Sequence, residues 1–332
     1  MIDQYRLAFA KLHSDKSPAR WPAETNYRAP HKPFLLLSIM DLVAQGQITH
    51  NFIELNAELM DTFDLYWSQI MHRAKSSNAL LPFYHLKSEG FWHLIPVPGN
   101  EQVLQAVTHI RTFRQMSQLV LGAQLDEGLF ELLQSKEARD SLRRLLIEHY
   151  FASEVQQKLF EVGQIATEAF EYSHKLLEGS QRHFRLREAP EVDEQYHTEA
   201  RSTAFRRVVV HAYNHTCAIC GIRVVTPEGR TAVAAAHIVP WSVSHNDDPR
   251  NGMALCGLHH WTFDQGIIGV AQDYHIVVSR AIPDDEEGTD PLLALSRREI
   301  RRPADHILWP AKRALKWHFE NVFRADVPER LL

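Results

Sequence analysis

Two pairs of closely spaced residues between positions 217 and 259 have the types and spacing of metal ligands. Two residues separate Cys217 from Cys220, and Cys256 and His259 repeat that spacing. Four thiolate and imidazole groups in two such pairs form the ligand set of a closed tetrahedral zinc site. We therefore expect a structural zinc ion, which orders a small β-rich module when it binds. Buried free thiols are an alternative, whereas a redox Cys-X-X-Cys pair would leave Cys256 without a role.

A second set of residues beside these ligands could hydrolyse a phosphodiester. His260 follows His259 directly, and helix neighbours point about 100° apart, so His260 is expected to face a second, open metal position. A divalent ion there, Mg²⁺ or Mn²⁺, would offset charge on a scissile phosphate. His237 ends a β-prone run and could take a proton from water. Asn251 would orient His237 or its loop, and Asp264, one helical turn beyond His260, is a candidate ligand.

The order of these residues resembles the HNH nuclease family, which has the ββα-metal fold. The resemblance covers about residues 200–285 and implies a metal-dependent DNA endonuclease. In the family pattern His237 is the general base, Asn251 supports it and His260 is a metal ligand. Many members carry an acidic ligand immediately before the base, where this chain and the branch with an Ala-Ala-His-Ile motif have alanine. Asp264 is the candidate for that missing ligand, and a form that binds DNA without cutting it stays an alternative.

The N-terminal half contains two cationic loops. Arg28, His31 and Lys32 run into a predicted helix start, and cations beside a helix N-terminus suit a phosphate group. Arg73 and Lys75 lie in a second loop of similar chemistry. The alternative is that these charges form solvated faces over an aromatic core.

These segments resemble the sulfur-binding domain of phosphorothioate-dependent HNH restriction endonucleases, and the order of parts matches across nearly the whole chain. The resemblance implies a basic loop on the DNA backbone and a small apolar cavity, lined by Pro82, that accepts sulfur. His85 stands where a small residue is common in the family, and Leu81 where a tyrosine is common. The domain is thus expected to read phosphorothioate, another modification or unmodified DNA. The residues expected to bind DNA are Arg28, His31, Lys32, Arg73, Lys75, Pro82 and His85.

The apolar patterns predict an α+β chain. Residues 1–98 are expected to form a mixed α/β DNA-reading domain. The pattern is helical throughout from 102 to 177, and residues 99–177 are expected to form a helical spacer or dimerisation region. Residues 178–200 lack apolar periodicity, which indicates a linker. Residues 201–332 are expected to form a zinc-stabilised ββα-metal HNH domain with a C-terminal helix.

The composition is that of an ordinary globular protein. Hydrophobic residues make up 45% and charged residues 23% of the 332 residues, and the net charge of -5 does not by itself predict nucleic-acid binding. No apolar run approaches the length of a membrane span, and the first residues do not have the pattern of a signal peptide. The clustered cysteines favour a reducing compartment, so a cytoplasmic location is expected.

The sequence leaves three functions open. The first hypothesis is a modification-dependent restriction endonuclease acting on double-stranded DNA. Each chain has a single HNH site, so a homodimer would account for cutting both strands. An apolar seam over residues 155–169 could pair helices, although packing within its own chain is favoured. The alternatives are a non-specific nuclease effector whose N-terminal half senses a partner or ligand, and a zinc-stabilised DNA-binding protein without catalysis.

Overall fold

The computed structural model describes residues 2–71, 79–110, 112–187, 196–226, 230–281, 288 and 290–325. Helices and short antiparallel strands are mixed along this chain, which confirms the α+β class. The chain divides into two compact units. The first unit comprises Met1–Thr167 and Thr226–Arg230, and the second comprises Glu168–Val225 and Thr231–Leu332. Among the described helices, none combines the length and the hydropathy needed to cross a membrane.

Helices surround one antiparallel strand pair in the first unit. Its helices are α1 (Ile2–Ala10), α2 (His31–Ala44), α3 (Ala57–Ile70), α4 (Leu80–His85), α5 (Glu101–Ala106), α6 (Phe113–Leu119), α7 (Glu127–Gln134) and α8 (Lys136–Tyr150). Its strands are β1 (Trp92–Pro96) and β2 (Val120–Leu125). The long helix α9 (Ser153–Gly179) begins in the first unit and ends in the second.

Helix α2 lies at the centre of the first unit. Every residue from 32 to 43 is buried, as expected for a helix that is apolar nearly all round. It packs against α3, α4, α7 and α8. This packing fixes the start of α2, and with it the positions of His31 and Lys32.

The prediction of an uninterrupted helical pattern from 102 to 177 is wrong at β2. This strand pairs antiparallel with β1, with Trp92 opposite Leu125. Gly122 sits where no side chain fits, because an added Cβ would lie 2.7 Å from the carbonyl oxygen of Ile53. The partner strand lies far back in the chain, so the local pattern of apolar residues does not reveal the pairing.

Residues on both sides of position 98 share one hydrophobic core. Leu104 and Leu142 are buried in the same cluster as Phe34 and Phe63. The division between the two units falls within α9, after residue 167, and the predicted bounds at 98 and 177 do not coincide with it. Of the predicted linker, residues 188–195 lie outside the described chain.

The second unit is built around a small sheet with a helix packed on it. Its elements are α10 (Thr198–Ala212), β3 (Val233–His237), α11 (Trp241–Ser244), β4 (Gly252–Cys256), α12 (Gly257–Asp264), β5 (Ile268–Val270), β6 (Ile276–Val278), α13 (Asp290–Leu293) and α14 (Lys312–Asn321). Strands β3 and β4 are antiparallel, with Val233 opposite Cys256 and His237 opposite Gly252. Helix α12 follows β4 directly and packs against both strands. This β–β–α order brings His237 and the two histidines of α12 to one small sheet.

Helix α10 approaches the sheet closely at Gly252. A Cβ added there would lie 2.6 Å from Cγ2 of Val209 and 2.8 Å from Cζ of Phe205. The missing side chain therefore lets α10 lie close to the strand pair. As a result, Phe205 reaches the end of β3, where His237 stands.

Candidate active site and metal centre

Three cysteines and one histidine converge in the second unit. The sulfur atoms of Cys217, Cys220 and Cys256 and a ring nitrogen of His259 all lie within 4.8 Å of one another. His259 Nδ1 is 3.5 Å from Cys217 Sγ and 3.2 Å from Cys256 Sγ. Tetrahedral zinc with bonds of 2.0–2.3 Å places its ligand atoms roughly 3.3–3.8 Å apart. The four side chains therefore fit the predicted zinc ion.

Backbone bonds hold the first cysteine pair against the sheet. The amide of Ala218 donates to Ala254 O on β4 at 2.8 Å, and the amide of Gly221 donates to Cys217 O at 2.9 Å. Gly221 has a φ of +75° and faces the Arg301 guanidinium so closely that an added Cβ would lie 2.2 Å from it. Glycine is therefore favoured in this turn for its backbone conformation, and a side chain would also require Arg301 to move.

Burial shifts the pKa values of these candidate ligands toward their neutral forms. It raises the pKa of the Cys217 and Cys256 thiols and lowers the pKa of the His259 imidazole. A neutral imidazole is the form that binds a metal, whereas each thiol must lose its proton. Zinc binding at this cluster therefore has to displace protons from the sulfurs.

His237 is held on two sides at the end of β3. Its Nε2 lies 2.9 Å from Oδ1 of Asp247. Its ring stacks on Phe205, with centroids 3.8 Å apart and planes 6° apart. Asp247 is buried and also accepts hydrogen bonds from Arg201 and Tyr172. Sequence reasoning missed Asp247, and its only signal was an acidic residue in the loop between His237 and Asn251.

Asn251 forms hydrogen bonds that hold the loop between His237 and Asn251 near the end of β3. It is fully buried, and its Oδ1 accepts a bond from the Val239 amide at 2.9 Å. Its Nδ2 donates to Val239 O and to Asn246 O, both at 3.0 Å. Val239 lies two residues after His237, and Asn246 directly precedes Asp247. Asn251 thus positions the backbone on both sides of the His237–Asp247 pair.

His260 and Asp264 lie outside the Cys₃His cluster. His259 is buried with Nδ1 against the sulfurs, whereas the His260 side chain is one-third exposed, with Nε2 3.5 Å from Oδ2 of Asp264. Burial raises the pKa of the Asp264 carboxyl, and the nearby His260 opposes this. An imidazole nitrogen and a carboxylate oxygen at this separation can both reach one divalent ion.

A family model described as HNH endonuclease matches residues 217–271. That range contains the Cys₃His cluster, the His237–Asp247 pair and the two exposed groups of α12. The second unit carries an HNH endonuclease domain. This match bears out the predicted resemblance to HNH endonucleases, a family that depends on a metal ion. The individual roles of the site residues stay predictions.

A second family model, described as a ScoMcrA-like DNA sulfur-binding domain, matches residues 15–166. The chain thus combines a DNA-binding domain with the HNH domain, as predicted. Among solved structures, one described as the modification-dependent TagI restriction endonuclease is 20% identical, with a TM-score of 0.29. The similarity covers 38% of this chain and 39% of that chain. No curated protein sequence matches.

Four of the predicted DNA-binding residues line one cavity of about 690 Å³ in the first unit. They are His31, Lys32, Pro82 and His85. Arg28 contacts His149 instead, with Nη1 3.4 Å from Nε2. Arg73 and Lys75 lie outside the described residues.

The cavity mixes apolar and basic groups. Its apolar lining includes Leu12, Ala29 and Leu81, and its further cations are Lys11 and Lys16. The Lys32 ammonium, by contrast, is paired with the buried carboxylate of Glu89. Burial, followed by the nearby charge of Lys32, lowers the pKa of His85.

Proposed function

We propose that this protein is a modification-dependent DNA endonuclease, in which the sulfur-binding domain reads modified double-stranded DNA and the HNH domain cuts it. The observation that carries the proposal is the presence of both domain types in one chain. The paired His237 and the exposed His260 and Asp264 supply groups suited to phosphodiester hydrolysis.

In this proposal His237 is the general base, which removes a proton from the attacking water. His260 and Asp264 would hold Mg²⁺ or Mn²⁺, which offsets charge on the phosphate and the leaving oxygen when bound. Asn251 holds the loop that follows the base. The Cys₃His cluster would hold zinc and stabilise the sheet and α12 around this site.

The cavity in the first unit is the proposed reader of the modification. Sulfur in a phosphorothioate is larger than oxygen and accepts hydrogen bonds weakly, so it favours apolar surroundings. Leu12, Leu81 and Pro82 offer such surroundings, while Lys11 and Lys16 suit the neighbouring phosphates. His85 narrows this space with a polar ring, so phosphorothioate is the first mark to test, and methylated and hydroxymethylated bases are the next.

A homodimer in the cytoplasm completes the proposal. One HNH site cuts one strand at a time, so a duplex break requires two copies or two successive nicks. Leu159 and Val162 of the predicted seam are buried in the first unit's own core. Pairing would therefore use another surface, and sedimentation of the protein with and without DNA tests it.

The test is cleavage of matched plasmids that are unmodified, phosphorothioated, methylated or hydroxymethylated, with Mg²⁺ or Mn²⁺. We expect cutting of one modified plasmid and loss of cutting in His237→Ala, which should still bind DNA. Equal cutting of all plasmids would contradict the reading role and support a non-specific effector. Binding without cutting by the zinc-loaded wild-type protein would support a DNA-binding protein without catalysis.

A further inference from the structure

The two oxygens of the Asp247 carboxylate have different partners: one contacts His237, and the other contacts Arg201 and Tyr172. Oδ1 lies 2.9 Å from His237 Nε2. Oδ2 lies 3.2 Å from both Nε and Nη2 of Arg201 and 3.3 Å from the Tyr172 hydroxyl. The Asp247 side chain is 4% exposed. The contacts described here between the carboxylate and His237, Arg201 and Tyr172 are all with side chains, in a nearly dry environment.

This arrangement selects one protonation pattern of the His237 ring. An ionised carboxylate only accepts hydrogen bonds, so the ring nitrogen that faces it has to carry the proton. Arg201 is permanently cationic and donates two charge-assisted hydrogen bonds to Oδ2. The proton therefore sits on Nε2, and Nδ1 keeps a free lone pair.

Three further contacts restrict the movement of the pair. Phe205 stacks on one face of the His237 ring, which prevents the ring from turning out of its plane. The Arg201 guanidinium lies 3.6 Å over the Trp241 ring, which fixes the cation behind Asp247. Asn251 bonds the carbonyl of the preceding residue, Asn246, so the backbone at Asp247 is also held.

We propose that Asp247 is the positioning residue of the HNH base, holding His237 with its proton on Nε2 and Nδ1 directed at the attacking water. The inference rests on the proposed function. In the step, a water proton passes to Nδ1 and the water oxygen bonds to phosphorus. The P–O bond to the leaving oxygen breaks, and that oxygen takes a proton from solvent. The carboxylate stabilises the imidazolium that forms.

The alternative is that Asp247 only closes an ion pair with Arg201 and stabilises the fold. The two roles differ in what Asp247→Asn does. The amide presents an NH₂ group that can donate to Nε2, which would shift the ring proton to Nδ1 and remove the base. A purely structural Asp247 would lower stability and leave the turnover of folded enzyme unchanged.

The first measurement compares Asp247→Asn with Asp248→Asn on the cleaved plasmid. Asp248 is the matched control, because its carboxylate bonds Arg250 rather than His237 and asparagine can still cap the following turn. We expect Asp247→Asn to lower kcat by about 10²–10⁴-fold with KM and DNA affinity unchanged within about twofold. Asp248→Asn should keep near wild-type kcat. Equal kcat in both variants would overturn the proposal.

The second measurement does not depend on cleavage. Nitrogen-15 NMR of the zinc-loaded protein reports which ring nitrogen carries the proton, and His237→Gln identifies the His237 signals among those of the 20 histidines. We expect the proton on Nε2 in the wild type and on Nδ1 in Asp247→Asn. A wild-type proton on Nδ1 would overturn the proposal. If the wild type cuts no DNA, the proposed function fails, while this spectrum still decides how His237 is held.

Discussion

The His237 imidazole lies flat on the Phe205 ring, with centroids 3.8 Å apart and planes 6° apart. Phe205 belongs to α10, whereas His237 ends β3, so the contact joins the helix to the end of the strand. The close approach depends on Gly252, where a Cβ would meet Phe205 at 2.8 Å. The orientation of the His237 ring is thus set by packing as well as by its hydrogen bond to Asp247.

Shortening Phe205 should loosen the base without removing it. We expect Phe205→Leu to lower kcat by about 10-fold to 100-fold, because a small misplacement of a catalytic group is costly, while DNA affinity is unchanged. Cleavage rates measured well below the unfolding temperature test this. Val210→Ala, which shortens another buried side chain of α10, is the control and should affect stability alone. A similar loss of kcat in that control would assign the effect to general loosening.

Variants of the two adjacent histidines on α12 should have different effects, because each histidine is expected to serve a different metal site. We expect His259→Ala to release zinc and unfold the sheet and α12, because one of four ligands is lost. His260→Ala should retain one zinc per chain and the native spectrum but lose Mg²⁺- or Mn²⁺-dependent cleavage. Metal analysis, circular dichroism and cleavage of the same preparations test both. Zinc loss in His260→Ala would place both side chains on one ion.

The buried His318 should make stability depend on pH. Burial lowers its pKa to about 4, its ring stacks on Phe263, and its buried Nδ1 has no hydrogen-bond partner in the described structure. The unfolded ring titrates near 6.5, so below that pH the unfolded state binds the extra proton and stability falls as pH drops toward 4. Between pH 7.5 and 5 we expect a loss of about 2 kcal/mol from this group.

The matched variant is His318→Gln, which keeps a donor for Phe263 O but does not titrate. Urea unfolding of both proteins at pH 7.5 and 5 isolates the contribution, because acid effects on the zinc ligands are common to both. The difference in unfolding free energy between the variant and the wild type should shift by about 2 kcal/mol in favour of the variant at pH 5. An unchanged difference would show that His318 is protonated as easily when folded as when unfolded.

Lys11 and Lys16 should carry the salt dependence of DNA binding by the cavity. Both are exposed and line it, whereas Lys32 is already paired with Glu89. We expect Lys11→Ala/Lys16→Ala to weaken binding and to reduce the slope of log affinity against log salt by about 2, since each phosphate contact contributes about 0.9. Lys136→Ala/Lys158→Ala, on α8 and α9, is the control. Equal slopes for the two double variants would show that the DNA backbone does not contact Lys11 and Lys16.

The zinc cluster was predictable because its ligands come in short-range pairs whose spacing alone restricts their geometry. The divergence of His259 and His260 followed from helix geometry in the same way. The partnership of His237 with Asp247 did not, because nine residues, including the short helix α11, separate them and the amide of Asn251 holds that segment in place. The β1–β2 pairing was missed for a similar reason: its contacts are distant in sequence, and the helical pattern around β2 is local.

All 3 cysteines of the chain belong to the Cys₃His cluster. Outside that cluster the protein therefore has no thiol to react with a labelling reagent or an oxidant. Sulfhydryl titration of the native protein becomes a gauge of how much of the cluster is loaded. Oxidative damage to cysteine would therefore disrupt the fold of the second unit and leave the first unit chemically unchanged.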